Sequence, residues 1–354
     1  MSDITIRDIA KLCGVGVSTV SRAMNDHPDI NPETKAKIMQ VIEEHNYIPN
    51  NSARNLKRSE SNTIALLMKG IDNPFFQGMF HIFEEMLSRR DYAFILQKVG
   101  FDEDEINVAL ELEKEKKLKG IIFLGGRIRE STRDFSLLGV PYILCTVRQP
   151  QKPGESPAHF VAIDDVKESF KVVDYLCSLG HKKIAIITSL QEERGVGSLR
   201  YEGYCKALEK NGIALDKELV CYMKHDLASF SAENGYAVTQ ELLASGKEFT
   251  AVFAASDMTA IGVCKAILES GSRIPEDYSV VGFDGLDLTH FYHPSITTIH
   301  QPINDMVKAA VQMLFALMEG NRYEGEQIFE AKLEVRESTG PVKGRAAIDE
   351  VVEV

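Results

Sequence analysis

No stretch of this 354-residue sequence reaches the roughly 18 consecutive apolar residues of a membrane-spanning helix, so no span is expected. The N-terminus, MSDITIRDIAKL, lacks the basic segment and apolar run of a secretory signal peptide. The six cysteines, at 13, 145, 177, 205, 221 and 264, form no C-x-x-C pair. They are expected to be buried or free thiols in a reducing cytoplasm, not disulfides or a zinc site. Enzyme signatures are missing as well. No G-x-G-x-x-G follows a strand and opens a helix, no Walker A sequence occurs, and GVGS at 195–198 falls short of a phosphate loop. Nor is there a Ser-His-Asp arrangement or a metal-ligand spacing. These absences predict a protein that is not an enzyme and needs no cofactor or metal. Positive charge is also scarce. The net charge is −12, and residues 1–60 set eight Lys/Arg against eight Asp/Glu.

A length of 354 residues suggests two or three domains, and 44% hydrophobic with 26% charged residues is the composition of a soluble globular protein. The most informative stretch is GVGVSTVSRAMN, residues 14–25. At about 100° per residue, Val20, Ala23 and Met24 cluster on one side of a helix. Ser18, Ser21, Arg22 and Asn25 cluster on the other, with Val17 at the flank. Upstream, Thr5 is a candidate N-cap for a helix that buries Ile6, Ile9, Ala10 and Cys13 and ends at Gly14. Downstream, Asn31 and Pro32 open a helix that buries Ile38, Val41 and Ile42. Three short helices, the first two joined by a tight turn containing glycine, make a helix-turn-helix module. Its short, donor-rich second-helix face fits the major groove, and Arg22 has the fork that matches the acceptor edge of guanine. For an arbitrary helix the same face would be merely solvated.

TIRDIAKLCGVGVSTVSRAMN followed by INPETKAKIMQVIEEHNYIPNNSARNLKR resembles the headpiece of the LacI/GalR family of bacterial transcriptional repressors, without a gap through the linker. The rest of the chain follows the family pattern almost to its end. The resemblance implies DNA contacts by Thr5, Val17, Ser18, Thr19, Ser21, Arg22 and Asn25 in the headpiece, residues 1–48. In the linker, 49–62, it implies a hinge helix in which Asn50, Ala53, Arg54, Leu56 and Lys57 meet DNA. Leu56 would wedge into the minor groove opposite the partner subunit's copy. Without the resemblance, PNNSARNLKRSESN reads as a flexible polar linker, too short for a helix stable on its own. Gly16 departs from the family, which usually has Ser or Thr there. Glycine can still cap a helix but brings no hydroxyl.

From residue 63 short apolar strands alternate with amphipathic helices, a rhythm that means parallel sheets with helices on both faces. A polar break at 148–159 separates two sets, and the resemblance implies a two-lobed, periplasmic-binding-protein-like α/β core over 63–340. The first lobe is expected at about 63–159 plus 292–320, the second at about 160–291 plus 321–340. Ligands in such sheets sit beyond the carboxyl ends of strands. Position by position, the resemblance implies a pocket of Phe75, Phe76, Thr146, Arg148, Arg194, Arg200, Phe230, Ser256, Asp257 and Asp284. On position alone, Phe75 and Phe76 would equally suit capping the core, and Asp257 would suit capping its own helix. Asp164 is expected to support the crossover between lobes. Aromatic platforms with Asp and Arg suit a sugar-like ring, and three arginines leave room for an acidic or phosphorylated ligand.

The expected protein is a cytoplasmic, ligand-responsive repressor that binds pseudo-palindromic operator DNA as a homodimer, with no membrane partner. An alternative within this reading is control by a co-repressor, either a small molecule or a phosphorylated carrier protein. A more distant one is a sugar-binding receptor without a DNA role. The tail, 341–354, offers about two heptads at most, which predicts a dimer and not a coiled-coil tetramer.

Overall fold

The computed structural model describes residues 4–24, 27–45, 62–69, 73–100, 103–126, 135–148, 159–321 and 325–343. The chain forms two compact units, Met1–Ser61 and Asn62–Val354.

The first unit holds α1 (Ile6–Cys13), α2 (Val17–Met24) and α3 (Pro32–Glu44). The Asp8 carboxylate accepts both the hydroxyl and the backbone N–H of Thr5, at 2.6 and 2.9 Å, which fixes the start of α1 and holds the Asp8 carboxyl below its usual range. Gly14 ends α1 at φ +69°, a left-handed conformation that favours glycine. The Gly16 carbonyl accepts from the backbone N–H groups of Thr19 and Val20, so glycine opens α2. The Asn31 side chain caps α3 by accepting from the N–H groups of Glu33 and Thr34. The apolar faces meet in one small core of Ile9, Ala10, Cys13, Val20, Ala23 and Ile38, with Val41 and Ile42 packed against it. Lys37 donates to the Cys13 carbonyl at 3.3 Å, placing a cation at the C-terminal end of α1.

In the second unit, β1 (Thr63–Lys69), β2 (Ala93–Val99), β3 (Gly120–Leu124), β4 (Tyr142–Cys145), β5 (Phe160–Ile163) and β11 (Glu326–Phe329) form one parallel sheet in the order β11-β5-β4-β3-β1-β2. A second parallel sheet, built from β6 (Ile184–Thr188), β7 (Val220–Tyr222), β8 (Ala251–Ala254) and β9 (Ser279–Val281), runs β7-β6-β8-β9. Central strands such as GIIFL and IAIIT are buried along their whole length, because helices cover both faces. The edge strands β2 and β11 keep exposed positions.

The lobe boundary differs from the sequence expectation. The strand β5, expected to open the second lobe at 160, pairs with β4 and completes the first sheet, and β11 joins it from the 321–340 segment. A Pro/Gly-rich polar break signals only that one apolar run has ended. It carries no information about which sheet the next apolar tetrapeptide joins, because its hydrogen-bond partners are remote in sequence. Of the 292–320 segment, the helix Ile303–Met318 packs on the first sheet and the helix Pro74–Ser88. The strand β10 (Thr298–His300) pairs instead with β12 (Lys332–Glu334). The chain thus passes between the lobes after β5, after β10 and after β11.

Second-lobe helices approach closely at glycines. A Cβ on Gly262 would lie 1.9 Å from the Ala232 carbonyl oxygen, and one on Gly235 would lie 2.2 Å from that of Thr259. Gly262→Ala is therefore expected to lower the unfolding free energy by about 1–3 kcal/mol in urea denaturation, through forced separation of two packed helices.

All six cysteines are free, and burial pushes the thiols of Cys145 and Cys264 up to about 12. Among the described residues no helix is long and apolar enough to cross a membrane.

Candidate functional site

The periodicity of α2 gives it one buried and one open side. Val20 and Ala23 are buried, Met24 is half-buried, and Val17, Ser18 and Arg22 are exposed. Thr19 and Ser21 are half-buried at the flanks. The helix thereby presents a short, largely polar face that carries one guanidinium. Thr5 is exposed, but its hydroxyl is already committed to Asp8. Asn25, Asn50, Ala53, Arg54, Leu56 and Lys57 lie outside the described residues, as does the tail from 344 onward.

In each sheet of the core the strand order reverses beside an early strand. In the first sheet β1 lies between β2 and β3, and in the second β6 lies between β7 and β8. Loops leaving the carboxyl ends of neighbouring strands diverge at such points and open a crevice. A cleft of about 300 Å³ occupies this place, lined from both lobes. Of the ten residues expected there, Phe75, Phe76, Thr146, Arg200, Phe230, Ser256 and Asp284 line it.

Phe75 and Phe76 open the helix Pro74–Ser88, which Asn73 caps by accepting from the Phe75 N–H at 3.0 Å. Their rings meet edge to face at 5.4 Å, and both are nearly buried, so they cap the core and form the cleft wall at once. Thr146, Phe230 and Asp284 have φ of +73°, +57° and +125°. Non-glycine residues rarely adopt such values unless their surroundings hold them, and here three of them line one cleft. The hydroxyl of Thr146 accepts from the Gly125 N–H at 3.1 Å, tying the ends of β3 and β4 together. Ser256 caps the helix Asp257–Glu269 and donates to the Phe230 carbonyl at 3.2 Å.

Arg200 lies at the base of the cleft and is 5% exposed. Its Nε donates to Asp165 Oδ1 at 2.9 Å, another nitrogen donates to the Ala255 carbonyl, and its guanidinium carbon lies 3.7 Å from the centre of the Phe283 ring. Asp284 Oδ1 stands 3.6 Å from the same guanidinium and accepts from Gln301 Nε2 at 3.0 Å. Burial pushes the Asp284 carboxyl up to about 8 against the pull of Arg200. Burial likewise raises Asp165, and again Arg200 opposes it.

Three expected residues do not line the cleft. Asp257 is fully buried and holds the backbone beyond Asp284. It accepts from the N–H groups of Gly285 and Leu286 at 2.8 and 2.7 Å and from the Thr298 hydroxyl at 2.6 Å. Ser256, and not Asp257, is the capping residue. Arg148 pairs with Asp164 at 3.6 Å, and Asp164 caps the helix Asp165–Ser178, so both serve the first passage between lobes. Arg194 is exposed while its neighbour Glu193 faces the cleft. One arginine thus reaches the cleft instead of three, and two carboxylates already contact it.

Sequence reasoning passed over Lys69, Asn73, Lys98, Glu193 and Gln301, which also line the cleft. Lys69 ends β1 and pairs with buried Glu105 at 3.4 Å. The rule of strand carboxyl ends reaches it, and would have reached Gln301 had TIH been recognised as a strand.

A polar-faced helix in a helix-turn-helix unit, joined to a core with a cleft between parallel-sheet lobes, defines a ligand-responsive DNA-binding protein. Residues 5–50 match the family described as bacterial regulatory proteins, lacI family, and residues 173–339 match the periplasmic binding protein-like domain. The chain is 38% identical over 337 residues to the HTH-type transcriptional regulator MalR of Clostridium butyricum, covering 95% of this chain and 99% of that protein. It is 30% identical to the HTH-type transcriptional repressor CytR of Escherichia coli K12, covering 95% and 96%. Among solved structures it is similar to the transcriptional regulator CelR–cellobiose complex, with TM-score 0.68, 28% identity and 95% and 99% coverage. It is also similar to the lac repressor dimer bound to operator and the anti-inducer ONPF, with TM-score 0.74, 25% identity and 96% and 100% coverage. The chain belongs to the LacI family and is a DNA-binding transcriptional repressor controlled by a small ligand.

Proposed function

We propose that this repressor binds a pseudo-palindromic operator as a homodimer and that an uncharged, polyhydroxylated ligand of the sugar class sets its operator affinity. The observation that carries the ligand class is the pairing of an aromatic wall, Phe75 and Phe76, with a buried Asp284 carboxylate at the opposite lobe of one cleft. A sugar ring has apolar faces and a polar edge, which such a wall and acceptor suit. Thr146, Arg200, Phe230 and Ser256 complete the polar and apolar surroundings, while Arg148 and Asp257 act in support. CelR holds cellobiose, and another solved LacI-family regulator, from Enterococcus faecium, holds ribose with 28% identity to this chain. Both names point the same way.

The test is a thermal-shift screen with monosaccharides and disaccharides, including ribose and cellobiose, and with sugar phosphates. A ligand at 100 times its dissociation constant stabilises the folded state by about 2.7 kcal/mol. A neutral sugar is expected to raise the melting temperature and change operator binding in a gel shift. Asp284→Ala is expected to weaken that sugar by about tenfold to a hundredfold, the usual worth of a hydrogen bond to a charged group. Stabilisation by sugar phosphates alone would replace this ligand class. Light scattering tests the homodimer, which one headpiece per half-site requires. A tetramer that becomes a dimer on removal of residues 341–354 would assign assembly to the tail.

A further inference from the structure

The two carboxyl oxygens of Asp284 stand in different circumstances. Oδ1 accepts from Gln301 and faces Arg200. Among the described residues no protein group donates to Oδ2, although Asp284 is only 4% exposed and lines the cleft. The surrounding charges leave that oxygen poorly supported. Arg200, the cation in contact with Asp284, is held through its Nε by Asp165. Asp257, which lies close enough to raise Asp284 further, has its carboxylate filled by Gly285, Leu286 and Thr298, with Arg336 as its cationic neighbour. His300, whose backbone bridges to Asp284, turns toward Glu334 at 3.7 Å. Across the cleft, Lys69 pairs with Glu105 and donates to the Glu103 carbonyl, while Lys98 and Glu193 belong to the walls.

Taking the cleft as the ligand site proposed above, we propose that Oδ2 of Asp284 carries a proton when the cleft is empty and gives it up to solvent when a ligand hydroxyl donates to that oxygen, so that effector binding is linked to pH. A buried carboxylate with no donor is costly, whereas the neutral acid is not. Burial drives this carboxyl up to about 8, with Asp257 and Asp165 adding to the rise and Arg200 opposing it. An arriving hydroxyl reverses the balance, because hydrogen bonds to an ionised acceptor are about twice as strong as neutral ones. One O–H bond of the acid breaks, one hydroxyl-to-carboxylate hydrogen bond forms, and one proton passes to buffer. The position gives the proton leverage. Gln301 leads into the helix Ile303–Met318 of the first lobe, and Asp165 opens the helix after β5, so both partners of this site stand at passages between lobes.

The first test needs no ligand. Urea unfolding of the full-length protein and of Asp284→Asn is compared from about pH 5 to about pH 9. A carboxyl raised in the folded state above its unfolded value of about 3.9 makes the protein most stable below that value. Its contribution is lost as pH rises through the folded value. The wild-type midpoint should therefore fall relative to Asp284→Asn across this range and level off at its upper end. A difference independent of pH overturns the proposal. If Asp284→Asn does not fold, infrared spectra of ¹³C-aspartate-labelled wild type decide. A protonated-carboxyl C=O band present near neutral pH and titrating away toward about pH 9 supports the proposal, and its absence near neutral pH overturns it. With a sugar found by the screen, affinity should fall about tenfold per pH unit on acidification below the titration. Tighter binding on acidification would mean that the acid form is the acceptor and would overturn it. Failure of every sugar to bind would instead strike the sugar reading, since the ligand-free titration stands apart from it.

Discussion

Arg200→Ala is expected to lower the unfolding free energy of the protein by about 3–5 kcal/mol, the usual cost of leaving a buried charge without its partner. Asp165, 3% exposed, would lose its 2.9 Å bond, and Asp284 would lose its neighbouring cation. The Ala255 carbonyl would lose a donor, and the Phe283 ring would lose the guanidinium stacked on it. The loss should shrink toward acid pH, where Asp165, the carboxylate bonded to Nε, becomes neutral and no longer needs the cation. Urea denaturation at two pH values measures both effects. A loss below about 1 kcal/mol at neutral pH, well under the usual cost of a broken buried pair, would show that water or a local shift replaces the guanidinium. The base of the cleft would then be a solvated surface. Arg200→Lys keeps the charge but not the fork, and should recover only part of the stability.

The second large effect is expected on DNA. Arg22 is exposed on the polar face of α2, while Val20 and Ala23 hold that helix on the headpiece core. Arg22→Ala should cost about 1–3 kcal/mol at each half-site and relax selectivity at one base pair there. Two half-sites on one operator then lose roughly 2–6 kcal/mol if they act independently. Binding titrations on operator variants at one fixed salt concentration test this, since phosphate contacts alone make affinity strongly salt-dependent. Unchanged affinity and selectivity would mean that another face of the headpiece reads the bases. Folding of the headpiece should be unaffected, because Arg22 takes no part in its core.

The headpiece was legible because its information is local. Thr5, Gly14, Asn31 and Pro32 mark helix ends within a few residues of themselves, and the spacing of Ile9, Ala10, Cys13, Val20 and Ala23 states which face is buried. The same holds for the alternation of strands and helices after residue 63, since apolar tetrapeptides such as FVAI and AVFA announce buried strands. The assignment of Phe75, Phe76, Thr146, Phe230 and Asp284 to one cleft came from a rule about strand ends joined to family resemblance. Spacing alone would not have gathered residues separated by as much as 209 positions (284 − 75).

The kinds of most elements, the helix-turn-helix class, the parallel α/β core and most of the residues that end its strands are written in the order of amino acids. Folding in three dimensions was needed to place β5 and β11 in the first sheet, because sheet partners are chosen by contacts remote along the chain. It was needed again to separate charged residues on functional surface from those in internal support. Asp257 and Asp284 both follow buried strands and look alike in sequence, yet one is filled by backbone N–H groups and the other, on the cleft wall, has a buried oxygen with no donor among the described residues. Arg148, Arg194 and Arg200 likewise read as one basic set, and only burial and hydrogen-bond partners separate them. A carboxylate or guanidinium takes its role from its donors, acceptors and dielectric surroundings, and those are supplied by other parts of the fold.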